Sequence, residues 1–242
     1  MVIAVKGAAD LHVLSAGSTL HGLRPCTAAF TLATAIPVSV ATDHAHTIQD
    51  EVFRSAVDAD VILLPVDMVA ALAAAGLVAR EPVAALGHVG IGGAVPAAAP
   101  PPDISTMEKL SSALLSASGV LLTHAPTGDH LLEVIDRLGL TGAVAGKLRR
   151  FGTATQLAAH LATSPPNTIG FAPETEIRGW QHGNPGQGHV TWAGPVPDEI
   201  QIALPYAAAM LTTTRAPEAA RALLEFLSTA EARNHFQASG VR

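Results

Sequence analysis

The chain has 242 residues, enough for one large domain or two smaller ones that each bury a core. A formal charge of −6, with only 14 lysines and arginines thinly spread, provides no basic face for a phosphate backbone and argues against a nucleic-acid partner. Apolar residues reach 49%, yet the longest runs, such as Met68–Ala79, fall short of the roughly 20 residues a membrane span needs, so no segment is expected to cross a bilayer.

In chain order, Leu11–Ser15 reads as a strand that breaks at Ala16-Gly17-Ser18 and passes into a helix. A helix start leaves N–H groups unpaired and carries partial positive charge, so small residues there let an anion approach the backbone. Ser18 also suits a plain N-cap, and the turn by itself does not choose between the two. Cys26, the single cysteine, falls in this first helix; it excludes an intrachain disulfide and reads as a small buried apolar side chain. Further strands are expected at Pro37–Ala41, Val61–Leu64, Val83–Val95, Val120–Thr123, Lys147–Phe151, Thr168–Phe171 and Val190–Ala193. The helix after Asp103 carries Ser105 and Glu108 in capping-box spacing, with Leu110, Leu114 and Leu115 as its apolar stripe. Thr127–Leu138 places Leu131, Ile135 and Leu138 on one helix face, with Gly139 as the stop.

Strand and helix in alternation imply an α/β protein with mostly parallel sheet, and ligands in such folds bind beyond the carboxyl ends of the strands. The proline-rich "AVPAAAPPPD" and the Gly/Pro-rich "RGWQHGNPGQGHVTWAGPVPDE" flank the middle third as two linkers or long loops, as in a chain that crosses twice between lobes. Catalytic and cofactor motifs are few. "GHVGIGGAVPA" lacks the G-x-G-x-x-G frame, and "DHAH" lacks further histidine or cysteine at helical spacing; neither G-x-S-x-G, P-loop nor C-x-x-C occurs. Neither a cofactor nor a metal is expected. The start "MVIAVKGAADLHV" has no basic, apolar and small-residue signal pattern, so as written the chain reads as cytoplasmic; a leader removed or missed upstream would make it periplasmic.

Several stretches together resemble the type 2 periplasmic solute-binding proteins of the molybdate-binding type. These are "VLSAGSTL", "DADVILLPVDMVAALAAAGLV", "GVLLTHAPTGDHLLEVIDRLGL" and the closing "APEAARALLEFLSTAEARNHFQASGV", so that the likeness runs nearly end to end. "PPPDISTMEKLSSALLSA" and "WAGPVPDEIQIALPYAAAM" are similar to a sub-branch that includes aconitate isomerase. The resemblance implies a two-lobe fold with a central ligand cleft, lobe one from residues 1–90 and 200–242 and lobe two from 91–199. It also implies a small anion, oxyanion or organic carboxylate, held by backbone N–H groups and hydroxyls at helix starts, with an ABC transporter permease as partner.

Carried across, the resemblance places Ser15, Gly17 and Ser18 in the first binding turn, and His46 and Thr47 where the family usually has a serine. In lobe two it places Thr127 and Gly128 at a helix start and Ala172 in the next loop. Asp129 departs from what an anion site wants and is expected to point outward or to be neutralised by His124 or His130; Glu174 raises the same conflict. Of the adjacent Arg149 and Arg150, only one can face the ligand, and a bidentate arginine would favour an organic acid. The alternative activity is an isomerase that shifts a proton in an unsaturated di- or tricarboxylate, with His44, His46 and Tyr206 as the acid/base candidates.

Overall fold

The computed structural model describes residues 10–181 and 189–242. Most of the Gly-rich stretch before His189 lies outside them. The first elements are β1 (Leu11–Ala16), a short 3-10 turn (Gly17–Thr19), α1 (Leu20–Thr34), β2 (Val38–Asp43), α2 (Ala45–Phe53), β3 (Val61–Pro65), α3 (Val66–Ala74), β4 (Val78–Val89) and β5 (Ile91–Pro96). They are followed by α4 (Met107–Ser116), β6 (Gly119–Thr123), α5 (Pro126–Arg137), α6 (Thr141–Val144), β7 (Leu148–Phe151), α7 (Ala154–Ala162), β8 (Thr168–Pro173) and α8 (Glu174–Gln181). The chain closes with β9 (Val190–Pro195), β10 (Leu204–Leu211), α9 (Pro217–Leu227) and α10 (Ala230–Ala238).

Two compact units result. One holds the described residues up to His88 together with Leu204–Arg242, and the other is Val89–Ala203. Each is built on a five-stranded sheet, ordered β2-β1-β3-β10-β4 in the first and β7-β6-β8-β5-β9 in the second. The architecture is mixed α/β, with one sheet in each unit. The run expected as one strand from Val83 to Val95 is thus two strands, parted at Gly90 and assigned to different sheets. Parallel pairing holds β2-β1-β3 and β7-β6-β8, whereas β10 against β3 and β5 against β8 and β9 are antiparallel.

Side-chain alternation explains how the second sheet is covered on both faces. Val120 and Leu122 of β6 pack into one cluster with Leu131 and Ile135 of α5, while Leu121 faces Leu157 and Leu161 of α7. Each fully buried leucine or isoleucine here contributes about 1.5–3 kcal/mol of transfer free energy, which fixes α5 and α7 on opposite faces. Gly139, at φ +68°, ends the α5 segment as its sequence position requires.

Two helix details differ from expectation. Thr106, not Ser105, is the N-cap of α4, its hydroxyl accepting from Lys109 N–H at 3.3 Å, so the residue at the box position is a lysine and no box forms. Leu110 and Leu114 are buried in the cluster that includes Ile91, Val95 and Val120, but Leu115 is 50% exposed because it lies off that stripe. A true capping box occurs at Thr153 and Gln156, which open α7.

Candidate functional site

In the first unit, parallel register sets Ala16 opposite Asp43, so the turns leaving β1 and β2 rise side by side from the carboxyl edge of the sheet. Ser15 is fully buried. Its hydroxyl donates to the Ala16 carbonyl at 2.9 Å and lies 2.7 Å from the Thr19 hydroxyl, which itself reaches the Ala16 carbonyl at 3.1 Å. These bonds close on one another, which turns Ser15 into an internal staple of the strand-to-helix turn rather than an open donor. Ser18 is buried within the 3-10 turn and is not the cap; Thr19 occupies the N-cap position of α1 without a side-chain cap bond. Gly17 opens the same turn.

The neighbouring helix α2 starts at His44, whose carbonyl accepts from Ile48 N–H at 2.9 Å. Its imidazole makes no cap bond, and Nε2 is buried without a hydrogen-bond partner among the described residues. His46 is exposed in the first turn, and Thr47 beside it is half-buried. Tyr206, at the beginning of the antiparallel β10, pairs with Pro65 at the end of β3, which brings it to the same edge. Ser15, Gly17, Ser18, His44, His46, Thr47 and Tyr206 therefore share one end of one sheet, although they span 192 positions of the chain.

In the second unit the corresponding edge carries the ends of β7, β6 and β8 and the starts of α7, α5 and α8. Thr127 is 2% exposed in the first turn of α5, and Thr123 is 1% exposed at the end of β6. Neither hydroxyl has a hydrogen-bond partner among the described residues. A buried hydroxyl without a partner costs about 1–3 kcal/mol, so two around a single strand-to-helix turn are an arrangement that stability alone does not select. Pro126 has no N–H, and the N–H groups of Gly128 and Asp129 close onto the Ala125 carbonyl at 2.9 and 3.0 Å, which leaves the Thr127 N–H as the first-turn donor not drawn to that carbonyl. Gly128 serves packing: a Cβ there would lie 2.0 Å from the Thr123 carbonyl oxygen, so only glycine lets α5 sit this close to β6.

Asp129 is neutralised by neither His124 nor His130. His130 Nε2 is engaged at 2.7 Å with the Ile200 carbonyl, and the partner of Asp129 is Arg150 of β7, whose Nη2 lies 2.5 Å from Asp129 Oδ1. Arg149 beside it is exposed, as strand alternation requires.

Ala172, expected in a loop, lies in β8; it is 1% exposed, and its methyl group packs in the cluster with Ala154, Leu157 and Trp180. Glu174, 2% exposed at the head of α8, accepts from Arg178 Nε and Nη2 at 2.9 and 2.7 Å, and the Arg178 guanidinium lies over the Trp192 ring at 5.2 Å. The chain's own carboxylate thus occupies the start of α8. The sequence pattern does not single out Thr123; within Val120–Thr123 only its position at the strand end, beside the turn into α5, could mark it.

Residues 11–242 match the family model of the bacterial extracellular solute-binding proteins. Aconitate isomerase from a Pseudomonas species is 29% identical over 247 residues, spanning 100% of this chain and 90% of that protein. Among solved structures, the periplasmic molybdate-binding protein of Azotobacter vinelandii superposes with a TM-score of 0.77 at 15% identity, covering 96% of this chain and 99% of the other. The sulfate-binding protein of Mycobacterium tuberculosis gives 0.70 at 14% identity, with 97% and 86% covered.

Proposed function

The chain belongs to the family of bacterial extracellular solute-binding proteins, and we propose that within it this protein holds a small anion, an oxyanion or an organic carboxylate, through neutral donors at helix starts. One observation carries the reading: the buried hydroxyls of Thr123 and Thr127, around the N-terminus of a twelve-residue helix, have no hydrogen-bond partner among the described residues. Fixed N–H and hydroxyl groups supply partial positive charge without competing for protons, which suits a dehydrated anion. Within the first unit, the turn after β1 and the start of α2, with Gly17, Ser18 and Thr47, offer donors of the same kind. Gly128 supports the second set by seating α5 against β6, and Ala172 contributes at most its backbone.

The solved relatives named for molybdate and sulfate support an anionic solute, and the family description together with the periplasmic molybdate-binding relative supports work outside the cytoplasm, in the periplasm. A thermal-shift screen over oxyanions and carboxylates tests the reading. A ligand at 100 times its dissociation constant stabilises by about 2.7 kcal/mol, a readily measured rise in midpoint. No rise with any anion, beside a rise with a neutral or cationic solute, would reject it.

A second reading is favoured by His44 together with the aconitate isomerase relative. A proton shift beside a carboxylate needs a positioned base, and His44 carries at the carboxyl edge of its sheet a buried Nε2 with no hydrogen-bond partner among the described residues, with His46 and Tyr206 at the same edge. Incubation with unsaturated di- and tricarboxylates in deuterated water should then label the substrate, with the label lost in His44→Gln. Binding of such acids without exchange would leave a solute-binding protein alone.

A further inference from the structure

We propose that Arg150 is the specificity-determining residue of the α5 site, selecting an organic carboxylate over a tetrahedral oxyanion, and that Asp129 is a place-holder which the incoming carboxylate displaces. The inference rests on the reading of the α5 turn as an anion site and names the ligand class that the turn takes.

The geometry is that of a guanidinium only partly engaged. Nη2 donates to the Thr123 carbonyl at 2.9 Å, which ties Arg150 to the strand end that carries one of the two hydroxyls without a partner among the described residues. Nη2 also meets Asp129 Oδ1, whereas Nε is buried and has no partner among the described residues. Nε and Nη2 form one edge of the guanidinium, the fork that grips a carboxylate through two parallel N–H···O bonds. Asp129 reaches this edge through Nη2 alone. A buried charged donor left without a partner is costly, and a second carboxylate oxygen satisfies it.

Exposure shows which partner can leave. The Asp129 side chain is 58% exposed and its pair with Arg150 is therefore weak, while the Arg150 side chain is only 22% exposed and is fixed by Thr123. When Asp129 turns to solvent it exposes the fork at no loss of the Thr123 bond. A planar carboxylate matches both N–H directions, with its charge near the α5 N-terminus; sulfate or molybdate finds the same positive end but gains less from the planar fork.

Titration calorimetry on the wild type and on Arg150→Gln, Arg150→Lys, Asp129→Asn and Thr127→Val tests this, with trans-aconitate, citrate and succinate against molybdate and sulfate. The wild type should bind at least one of the three acids more tightly than either oxyanion. Arg150→Gln should weaken that acid by about 10- to 100-fold, and Arg150→Lys, which keeps the charge but not the fork, by nearly as much. Asp129→Asn should tighten it by roughly 2- to 5-fold, because the place-holder loses its charge. Unchanged far-UV circular dichroism shows that each variant is folded, and Arg150→Lys carries the test should the glutamine variant not fold.

Equal losses for acids and oxyanions in Arg150→Gln would overturn the assignment, since the arginine would then be a general positive charge. Preference of the wild type for an oxyanion, or binding of neither class, would overturn it as well. An acid whose affinity falls in Thr127→Val but not in the Arg150 variants would leave the α5 site standing and remove Arg150 from it. An acid whose affinity is indifferent to Thr127 and Arg150 alike would reject the site itself.

Discussion

Gly128 offers a substitution whose sign follows from packing alone. In an open helix position, replacing glycine by alanine stabilises by about 0.5–1 kcal/mol, because alanine loses less backbone entropy. At Gly128 the new methyl group would sit 2.0 Å from the Thr123 carbonyl oxygen, 3.0 Å from its carbon and 3.1 Å from its nitrogen. Ordinary contact begins at 3.4 Å, and all three neighbours are backbone atoms of a buried strand, so α5 must move away from β6 by more than an ångström. Overpacking of this kind costs about 1–3 kcal/mol, and rigid neighbours place it at the upper end. After the alanine gain is subtracted, Gly128→Ala should lose about 2 kcal/mol, a fall in midpoint of roughly 4–8 °C for a chain of this size. Gly142 in α6 has nothing within 4 Å of its Cβ position and serves as the control, with Gly142→Ala expected to be neutral or up to about 1 kcal/mol more stable. Thermal and urea unfolding of both variants decide the matter. A Gly128→Ala midpoint at or above the wild type would refute the close approach of α5 to β6, and with it the geometry of the Thr123–Thr127 turn.

Burial first, and Glu231 second, push the Cys26 thiol from 9.0 up to about 12, so a thiol-exchange reagent at pH 8 should leave the folded protein unmodified and react fully once it is unfolded. Because the folded thiol keeps its proton where the unfolded one ionises, its contribution to stability is present below about pH 9 and is lost as pH rises from 9 towards 12; Cys26→Ala should flatten that part of the pH profile. Ser15→Ala removes one arm of the closed hydroxyl arrangement with Thr19 and Ala16 and should cost about 1 kcal/mol in urea unfolding while changing anion affinity little; a large loss of affinity would return Ser15 to the ligand contacts.

What was legible in the sequence was what periodicity and punctuation encode. Runs of β-branched and leucine residues mark β1, β3, β6 and β8, and the stripe of Leu131 and Ile135 ending at Gly139 marks α5. β10 was not legible, because Leu204–Leu211 contains three consecutive alanines and follows no alternation; it is a strand because it is buried between β3 and β4. The carboxyl-edge location of the candidate turns follows from strand-helix alternation. The pairing of Asp129 with Arg150 does not, since 21 residues part them and only the parallel register of β6 with β7 brings the two elements together. Likewise, Thr127, Gly128 and Asp129 read together as one helix start, yet the Thr127 hydroxyl has no partner among the described residues, Gly128 lets the helix approach β6, and Asp129 pairs with an arginine. Such differences depend on which neighbours fold against each residue.

The central claim is that the hydroxyls of Thr123 and Thr127, which have no partner among the described residues, are held for a bound anion. Thr127→Val tests it most directly, because the two side chains have nearly the same shape and differ by the hydroxyl. Removing a buried, unsatisfied polar group should raise the stability of the ligand-free protein by about 1 kcal/mol. The same change should weaken binding of the best anion found by thermal-shift screening by about 5- to 10-fold in titration calorimetry. Higher stability together with lower affinity is the predicted result; a variant that is less stable and binds that anion as tightly as the wild type would show that Thr127 serves only the core, and would contradict the account.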